Sequence, residues 1–343
     1  MNIWDYIKQG KTYIIAEISA NHSGNLKNAI ELVRIAKAAG ADCVKTQTYT
    51  EDTLTINCDN DYFKIKDGLW KGKNLYSLYA HAKTPWEWQT IIKEECNKQN
   101  IDFLSTPFDT TAVDFLENLG VDAYKISSFE IGDIPLITYA AQKNKTMIIS
   151  CGLATKEEID EAVKTCLSQN NNKIILMKCC SQYPANIKNL NLKTIIDMQQ
   201  TFNFPVGFSD HTKGNFSAVV ACSLGCNIIE KHICIDHEID SPDNAFSLDK
   251  QEFKEFVDAI RKCEEAKGEI FYGANEEEKE SLVFKKSIFA IDDIEEGERF
   301  TKKNVRIIRP GYGIAPKYYS VLLQKKSKRK ISKGEPIMIE DII

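Results

Sequence analysis

Apolar residues in this chain gather in short solid runs, not in alternation with polar ones. Eight such runs stand out: Tyr13–Ile18, Cys43–Gln47, Phe103–Thr106, Ala123–Ile126, Met147–Cys151, Ile174–Cys179, Pro205–Ser209 and Asn227–His232. A strand covered on both faces reads this way, which is the condition of a parallel sheet. Between most of the runs the apolar period becomes that of a helix. Asn25–Ala39 carries Ala29, Ile30, Val33, Ile35 and Ala36, and Lys156–Leu167 repeats the period. Ser23 and Asn25 are candidate caps of the first helix, and Gly40 is its expected stop. Eight strand–helix units predict an α/β fold closed into a TIM (βα)8 barrel.

Residues 48–85 are too many for one helix and are expected to form an excursion over the barrel mouth. Loops of that length are usually functional. The barrel pattern ends with a helix over Asp249–Ala266. Residues 267–283, with Gly268, Gly273 and Glu276-Glu277-Glu278, read as a linker. Shorter apolar segments follow at Ser287–Ile291, Val305–Ile308 and Pro336–Ile339. The expected organisation is a barrel over 1–266, a linker over 267–283 and a small β-rich domain over 284–343.

Composition narrows the class. The chain has 343 residues, 43% of them hydrophobic and 27% charged, enough for a sizeable core. It has no run of about 18 apolar residues and no basic-then-apolar start, so neither a membrane span nor a secretion signal is expected. The eleven cysteines are odd in number, and Cys43, Cys151, Cys179 and Cys180 sit in or beside apolar runs. They read as reduced, buried thiols of a cytoplasmic protein. From Phe284 onward fourteen Lys and Arg face eight Asp and Glu, against a whole-chain charge of −5. No aromatic residues interleave Lys325-Lys326-Ser327-Lys328-Arg329-Lys330. A nucleic-acid platform is therefore not expected, and the basic tail reads as a solvated or docking face.

Each apolar run ends on polar residues. Glu17 follows the first, then Asn21 and His22. Lys45 and Gln47 end the second, Thr106 the third, and Lys125, Ser127, Ser128 and Glu130 the fourth. Ser150 ends the fifth, and Lys178, Ser181, Gln182 and Tyr183 the sixth. Ser209, Asp210 and His211 end the seventh, and Glu230, Lys231 and His232 the eighth. In a parallel barrel that rim carries the active site. His211 and His232, on neighbouring tips, suit a catalytic divalent metal with positions left open. Lys45 and Lys125 with the hydroxyls suit an anion bearing phosphate and carboxylate. Glu17, Glu130 and Glu230 suit proton handling or sugar hydroxyls. His22 reads as orienting its neighbours, and His81 and His237 lie off the tips.

Several of these stretches together resemble one family. Ala16-Glu17-Ile18-Ser19-Ala20-Asn21-His22, Lys45-Thr46-Gln47, Ser105-Thr106-Pro107-Phe108, Tyr124-Lys125-Ile126, Gly207-Phe208-Ser209-Asp210-His211-Thr212, Glu230-Lys231-His232 and Arg309-Pro310-Gly311-Tyr312-Gly313 look like the sialic acid synthase family. The resemblance implies condensation of phosphoenolpyruvate with a hexosamine-type sugar to a nine-carbon 2-keto acid. It also implies a barrel followed by a small antifreeze-like (SAF) domain, in a domain-swapped homodimer. Leu69-Trp70-Lys71-Gly72-Lys73-Asn74-Leu75-Tyr76 and Pro242-Asp243-Asn244-Ala245-Phe246 resemble the branch whose sugar is 2,4-diacetamido-2,4,6-trideoxy-altrose. The legionaminic and N-acetylneuraminic branches are the alternatives. Phe129 fits the first branch, because an apolar ring favours a methyl over a hydroxymethyl group.

The resemblance also implies roles. Mn²⁺ or Mg²⁺, with Co²⁺ as a third candidate, would sit on His211 and His232, and Glu17 would be catalytic. Lys45, Thr106, Lys125, Ser128, Ser150 and Ser209 would hold phosphoenolpyruvate. Gln47, Glu130, Tyr183, Glu230 and Asp243 would hold the sugar, with Arg309 contributed across the dimer. No nucleic acid or membrane partner is implied.

Overall fold

Strand interiors with side chains alternating in and out need a second layer on each face, and the chain supplies both. The computed structural model describes residues 3–343. Among them, eight parallel strands close into a barrel: β1 Tyr13–Glu17, β2 Cys43–Thr48, β3 Asp102–Pro107, β4 Ala123–Ile126, β5 Thr146–Ser150, β6 Ile174–Cys179, β7 Val206–Asp210 and β8 Ile228–His232. Pairing of β1 with β8 completes the ring, with Glu17 opposite His232. The expected barrel is present, with strand ends shifted by a residue or so.

Outward-facing Ile14, Ala16, Val44, Tyr124, Ile149, Leu176 and Phe208 join the surrounding helices in the larger apolar core. Inward-facing Tyr13, Ile15, Cys43, Leu104, Ala123, Ile148, Ile175, Met177 and Ile228 fill the barrel interior. Ile3 joins this inner cluster, with Trp4, Tyr6 and Ile7 packed against it from the short helix Ile3–Lys8. Gly207 is needed on β7, because a Cβ there would meet Met177 Sδ at 2.5 Å and Ile228 O at 2.7 Å.

Helix termini follow local chemistry. Asn25 caps the helix Leu26–Ala39 by accepting from Lys27 N, and Gly40 ends it at φ 96°. Ser23 is not the cap; it sits at φ 49° and its hydroxyl donates to Asp240 O. Asp249 caps the helix Lys250–Lys267 in a reciprocal box with Glu252.

One compact unit ends at Gly268, and a second spans Glu269–Ile343. In the second, β9 Ser287–Ala290 pairs antiparallel with β10 Val305–Ile308 around Ile288, Ile294, Phe300, Ile331 and Ile337. The apolar segment Pro336–Ile339 forms no regular strand. Pro336 makes a single bridge to Phe289, and Ile339–Asp341 turns into a 3-10 helix. Hydrogen bonds from Ala290 N to Glu335 O and from Ile337 N to Ile288 O flank that bridge, so the missing proline N–H falls at a position that bonds nothing on β9. All eleven cysteines are free, and among the described residues no helix is long and apolar enough to cross a membrane.

Candidate active site

One layer above the apolar interior, the inward positions of the same strands turn polar. On β1 the inward series is Tyr13, Ile15, Glu17; on β2 it is Cys43, Lys45, Gln47; on β8 it is Ile228, Glu230, His232. Ser150, Cys179 and Ser209 do the same on β5, β6 and β7. These side chains floor a cavity of about 350 Å³ at the C-terminal mouth of the barrel. Every barrel residue named from the sequence as a ligand of metal, phosphoenolpyruvate or sugar lines this one cavity. Arg309 lies in the second unit, exposed, directly after β10.

The floor is a dense charge network. Lys45 Nζ lies 2.8 Å from Glu17 Oε2 and 3.0 Å from Glu230 Oε1, all nearly free of solvent. Ser209 donates to Glu230 Oε1 at 3.0 Å, and Lys125 Nζ donates to Ser150 Oγ at 2.5 Å. Gln47 Nε2 donates to Ser19 Oγ at 3.1 Å, and Ser19 in turn donates to Asp243. Burial lowers Lys45 to about 8, with Glu230 opposing and Lys125 assisting. Burial alone would raise Glu230, but the charges of Lys125 and Lys45 outweigh it and hold this carboxyl well below its ordinary range. Burial raises Glu130 and Asp243.

Among the described residues, the buried side-chain polar atoms without a hydrogen-bond partner are Glu17 Oε2, Thr106 Oγ1, Glu230 Oε2 and His232 Nδ1. Glu17 Oε2 has the Lys45 ammonium beside it as an ion pair but accepts no aligned hydrogen bond. All four residues line this cavity. Buried polar groups are normally satisfied, so four such atoms converging on one space mark it as built for a polar ligand.

The His211 and His232 rings are 5.4 Å apart. His211 Nδ1 is 3.0 Å from Cys180 O, so it must carry the proton it donates, which leaves the Nε2 lone pair free. Burial drives His211 down to about 4, and burial with the neighbouring charges drives His232 well below its usual value. Two neutral imidazoles, one held by a backbone carbonyl and one with an orphaned nitrogen, fit a divalent cation.

Other candidates go elsewhere. Asp210 and Lys231 point out of the barrel and pair at 2.9 Å, with Asp210 also accepting from Thr212 and Ser217. Asn21 donates to Ile233 O and Ser247 Oγ, bracing the loop after β8. His22 contacts Thr84 Oγ1 at 3.2 Å and stacks edge-on against Trp88, so it orients neighbours. His237, Asp249 and Glu252 bring ligand atoms within 4.8 Å of one another. There His237 bridges Asn244 and Glu252, and Asp249 and Glu252 serve the helix cap, which accounts for all three. A larger open hollow of about 680 Å³ lies beside the cavity, sharing Trp70 and Pro242 with it. None of the strand-tip residues line that hollow.

Sequence reading missed part of the wall. Cys179 contacts Ser128 Oγ at 2.8 Å, and its place two residues after Met177 on β6 was a usable signal. Phe246 packs 4.9 Å from the His232 ring and 5.2 Å from Tyr183, which the sequence did place in the site. Tyr49, Trp70 and Tyr79 come from the long excursion and had no periodic signal.

Comparisons with known proteins bear on the chain as a whole. The NeuB family model matches residues 32–272, and the SAF domain model matches residues 285–343. A pseudaminic acid synthase of Campylobacter jejuni is 42% identical over 99% of both chains. One from Helicobacter pylori is 39% identical over 96% of this chain and 97% of its own. A crystal structure of N-acetylneuraminic acid synthetase from Leptospira borgpetersenii, in complex with citrate, superposes with TM-score 0.71 at 29% identity. It covers 79% of this chain and 90% of its own.

Proposed function

We propose, from the premise that the chain belongs to the NeuB family, that it condenses phosphoenolpyruvate with 2,4-diacetamido-2,4,6-trideoxy-altrose and water to give pseudaminic acid and phosphate. The observation that carries the reading is the cavity itself: two buried lysines, two buried carboxylates with unsatisfied oxygens and two neutral imidazoles meet in one space.

In the reaction, C3 of phosphoenolpyruvate attacks C1 of the open-chain sugar and the aldehyde oxygen takes a proton. Water adds to C2, the C2–O bond to phosphate breaks, and the 2-keto acid remains. Lys45 and Lys125 hold the phosphate and carboxylate, helped by the hydroxyls of Thr106, Ser128, Ser150 and Ser209. Glu17, whose Oε2 lies 2.8 Å from Lys45 Nζ, takes the proton of the attacking water. Gln47, Glu130, Tyr183, Glu230 and Asp243 orient the sugar. His211 and His232 would hold a divalent cation, with Mn²⁺ proposed first and Mg²⁺ or Co²⁺ as substitutes. When bound, that ion polarises the aldehyde as a Lewis acid. The walls exclude bulk water and so strengthen each of these charge interactions.

Lys45 makes this testable by pH. It is protonated below about 8 and loses its charge above it. The kcat/KM for phosphoenolpyruvate should therefore fall on the alkaline side with an inflection near pH 8, by about tenfold per unit beyond it. Lys45→Arg should move that limb to higher pH, because a guanidinium stays charged. A flat profile through about pH 9.5 in both proteins would remove Lys45 from anion binding.

The sugar is tested by comparing kcat/KM for the altrose sugar, the legionaminic precursor and N-acetylmannosamine. The altrose sugar should lead by about two orders of magnitude or more, the discrimination a site gains when a mismatched group strands polar partners. If either of the others leads, the chain is a legionaminic or N-acetylneuraminic acid synthase.

We further propose a domain-swapped homodimer in which Arg309 of the partner subunit contacts an N-acyl carbonyl of the sugar. Arg309→Ala should raise KM for the sugar far more than for phosphoenolpyruvate. Mixing Glu17→Gln with Arg309→Ala protein should rebuild one working site per heterodimer. No recovery after confirmed subunit exchange would place the arginine in its own chain's site.

A further inference from the structure

We infer that the underside of residues 49–82 selects the sugar through its methyl groups, with Trp70 as the positioning residue that holds this roof over the barrel. The inference rests on the sugar proposed above and names what recognises it. The cavity has two unlike halves. Its floor is made of charged and hydroxyl side chains from the strand tips. Its roof is apolar: Leu54, Ile65, Leu75, Leu78 and Ala82 face the same space, beside Tyr49, Trp70 and Tyr79. Leu78 is buried, whereas Leu54, Ile65, Leu75 and Ala82 keep part of their surface open. Packing within the segment therefore does not use them up, and apolar surface left open inside a cavity is what a ligand's apolar groups cover. The proposed sugar offers three such groups, two acetyl methyls and the C6 methyl.

The roof is held at three points. Tyr49 packs edge-on against Phe108 at 5.2 Å and against Tyr79 at 6.0 Å, fixing its two ends. Trp70 fixes its middle. Its Nε1–H donates to Pro242 O at 3.0 Å, and its ring lies 5.7 Å from Tyr183. Pro242 precedes Asp243, which accepts from Ser19 on the floor. Trp70 and Pro242 are also the residues shared with the outer hollow, so together they form the partition between cavity and hollow. A roof lowered by this bond presses its aliphatic side chains onto the sugar, not onto phosphoenolpyruvate, whose partners sit on the floor.

The test is a cycle of variant against substrate. Leu75 begins a helix already capped by Asn74, and Ile65 is only half-buried, so Leu75→Ser and Ile65→Ser keep the fold. Each is assayed with the diacetamido sugar and with its two analogues carrying one formyl in place of one acetyl. A methyl in an apolar pocket is worth about tenfold or more in kcat/KM. The wild-type enzyme should lose about that much on at least one analogue, and at least one variant should lose clearly less on the same analogue. Trp70→Phe, which keeps a ring and loses the N–H, should raise KM for the sugar several-fold and leave KM for phosphoenolpyruvate unchanged. Equal formyl penalties in wild type and both variants, no penalty in wild type, or a shifted phosphoenolpyruvate KM in Trp70→Phe would each overturn the roof while leaving the sugar assignment standing. No wild-type turnover of the altrose sugar would overturn the assignment and the roof with it.

Discussion

Replacing His211 with alanine is expected to lower turnover by about 10³-fold, a loss typical when the stabiliser of a developing charge is removed. The Nδ1–H of His211 is held by Cys180 O, and its other nitrogen is free beside the orphaned His232 ring. Burial keeps both imidazoles neutral, so neither needs to shed a proton before it takes a cation. Removing one leaves a single imidazole for the proposed ion. Calorimetric titration with Mn²⁺ should show strong binding in the wild-type protein and a loss of about 10- to 100-fold or more in His211→Ala, independently of any assay of turnover. Chelation should stop the wild-type enzyme and added Mn²⁺ should restart it. Full activity of metal-stripped His211→Ala would show that these histidines serve another purpose.

Glu17→Gln is expected to cost about 10²–10⁴ in kcat, the range for a lost general acid or base. The substitution keeps volume and hydrogen-bonding reach but removes the charge 2.8 Å from Lys45 Nζ. Phosphoenolpyruvate affinity should hold or improve. Lys45 keeps Glu230 at 3.0 Å, and one competitor for its charge is gone. A fall in kcat with an unchanged or lower phosphoenolpyruvate KM separates a role in proton transfer from a role in anion binding. Wild-type kcat in Glu17→Gln would take the residue out of the mechanism.

The barrel and its floor are legible in the sequence because they obey two periods at once. A solid apolar run marks a strand buried on both faces, and its last inward position must be polar where the barrel opens to a ligand. That rule alone places Glu17, Lys45, Ser150, Ser209, Glu230 and His232 on the floor. It also explains where strand-tip reasoning goes astray. Asp210 and Lys231 are one residue out of phase with Ser209 and Glu230, so they point outward into a buried pair. The roof is illegible for a different reason. Leu54, Ile65 and Leu75 belong to short helices and turns with no common period, and only the tertiary fold puts them on one surface. Cys179 lies within the period, but a cysteine at the end of an apolar run reads as core filling.

The proposed reaction forms a carbon–carbon bond between phosphoenolpyruvate and the altrose sugar while the C2–O bond of phosphoenolpyruvate breaks. Phosphoenolpyruvate labelled with ¹⁸O in the bridging position tests it directly. With Mn²⁺ and the sugar present, the label should leave entirely with inorganic phosphate, one phosphate per molecule of nine-carbon 2-keto acid, and no phosphate should appear without the sugar. Label retained in the keto acid, or phosphate released with pyruvate and no condensed product, would rule this reaction out.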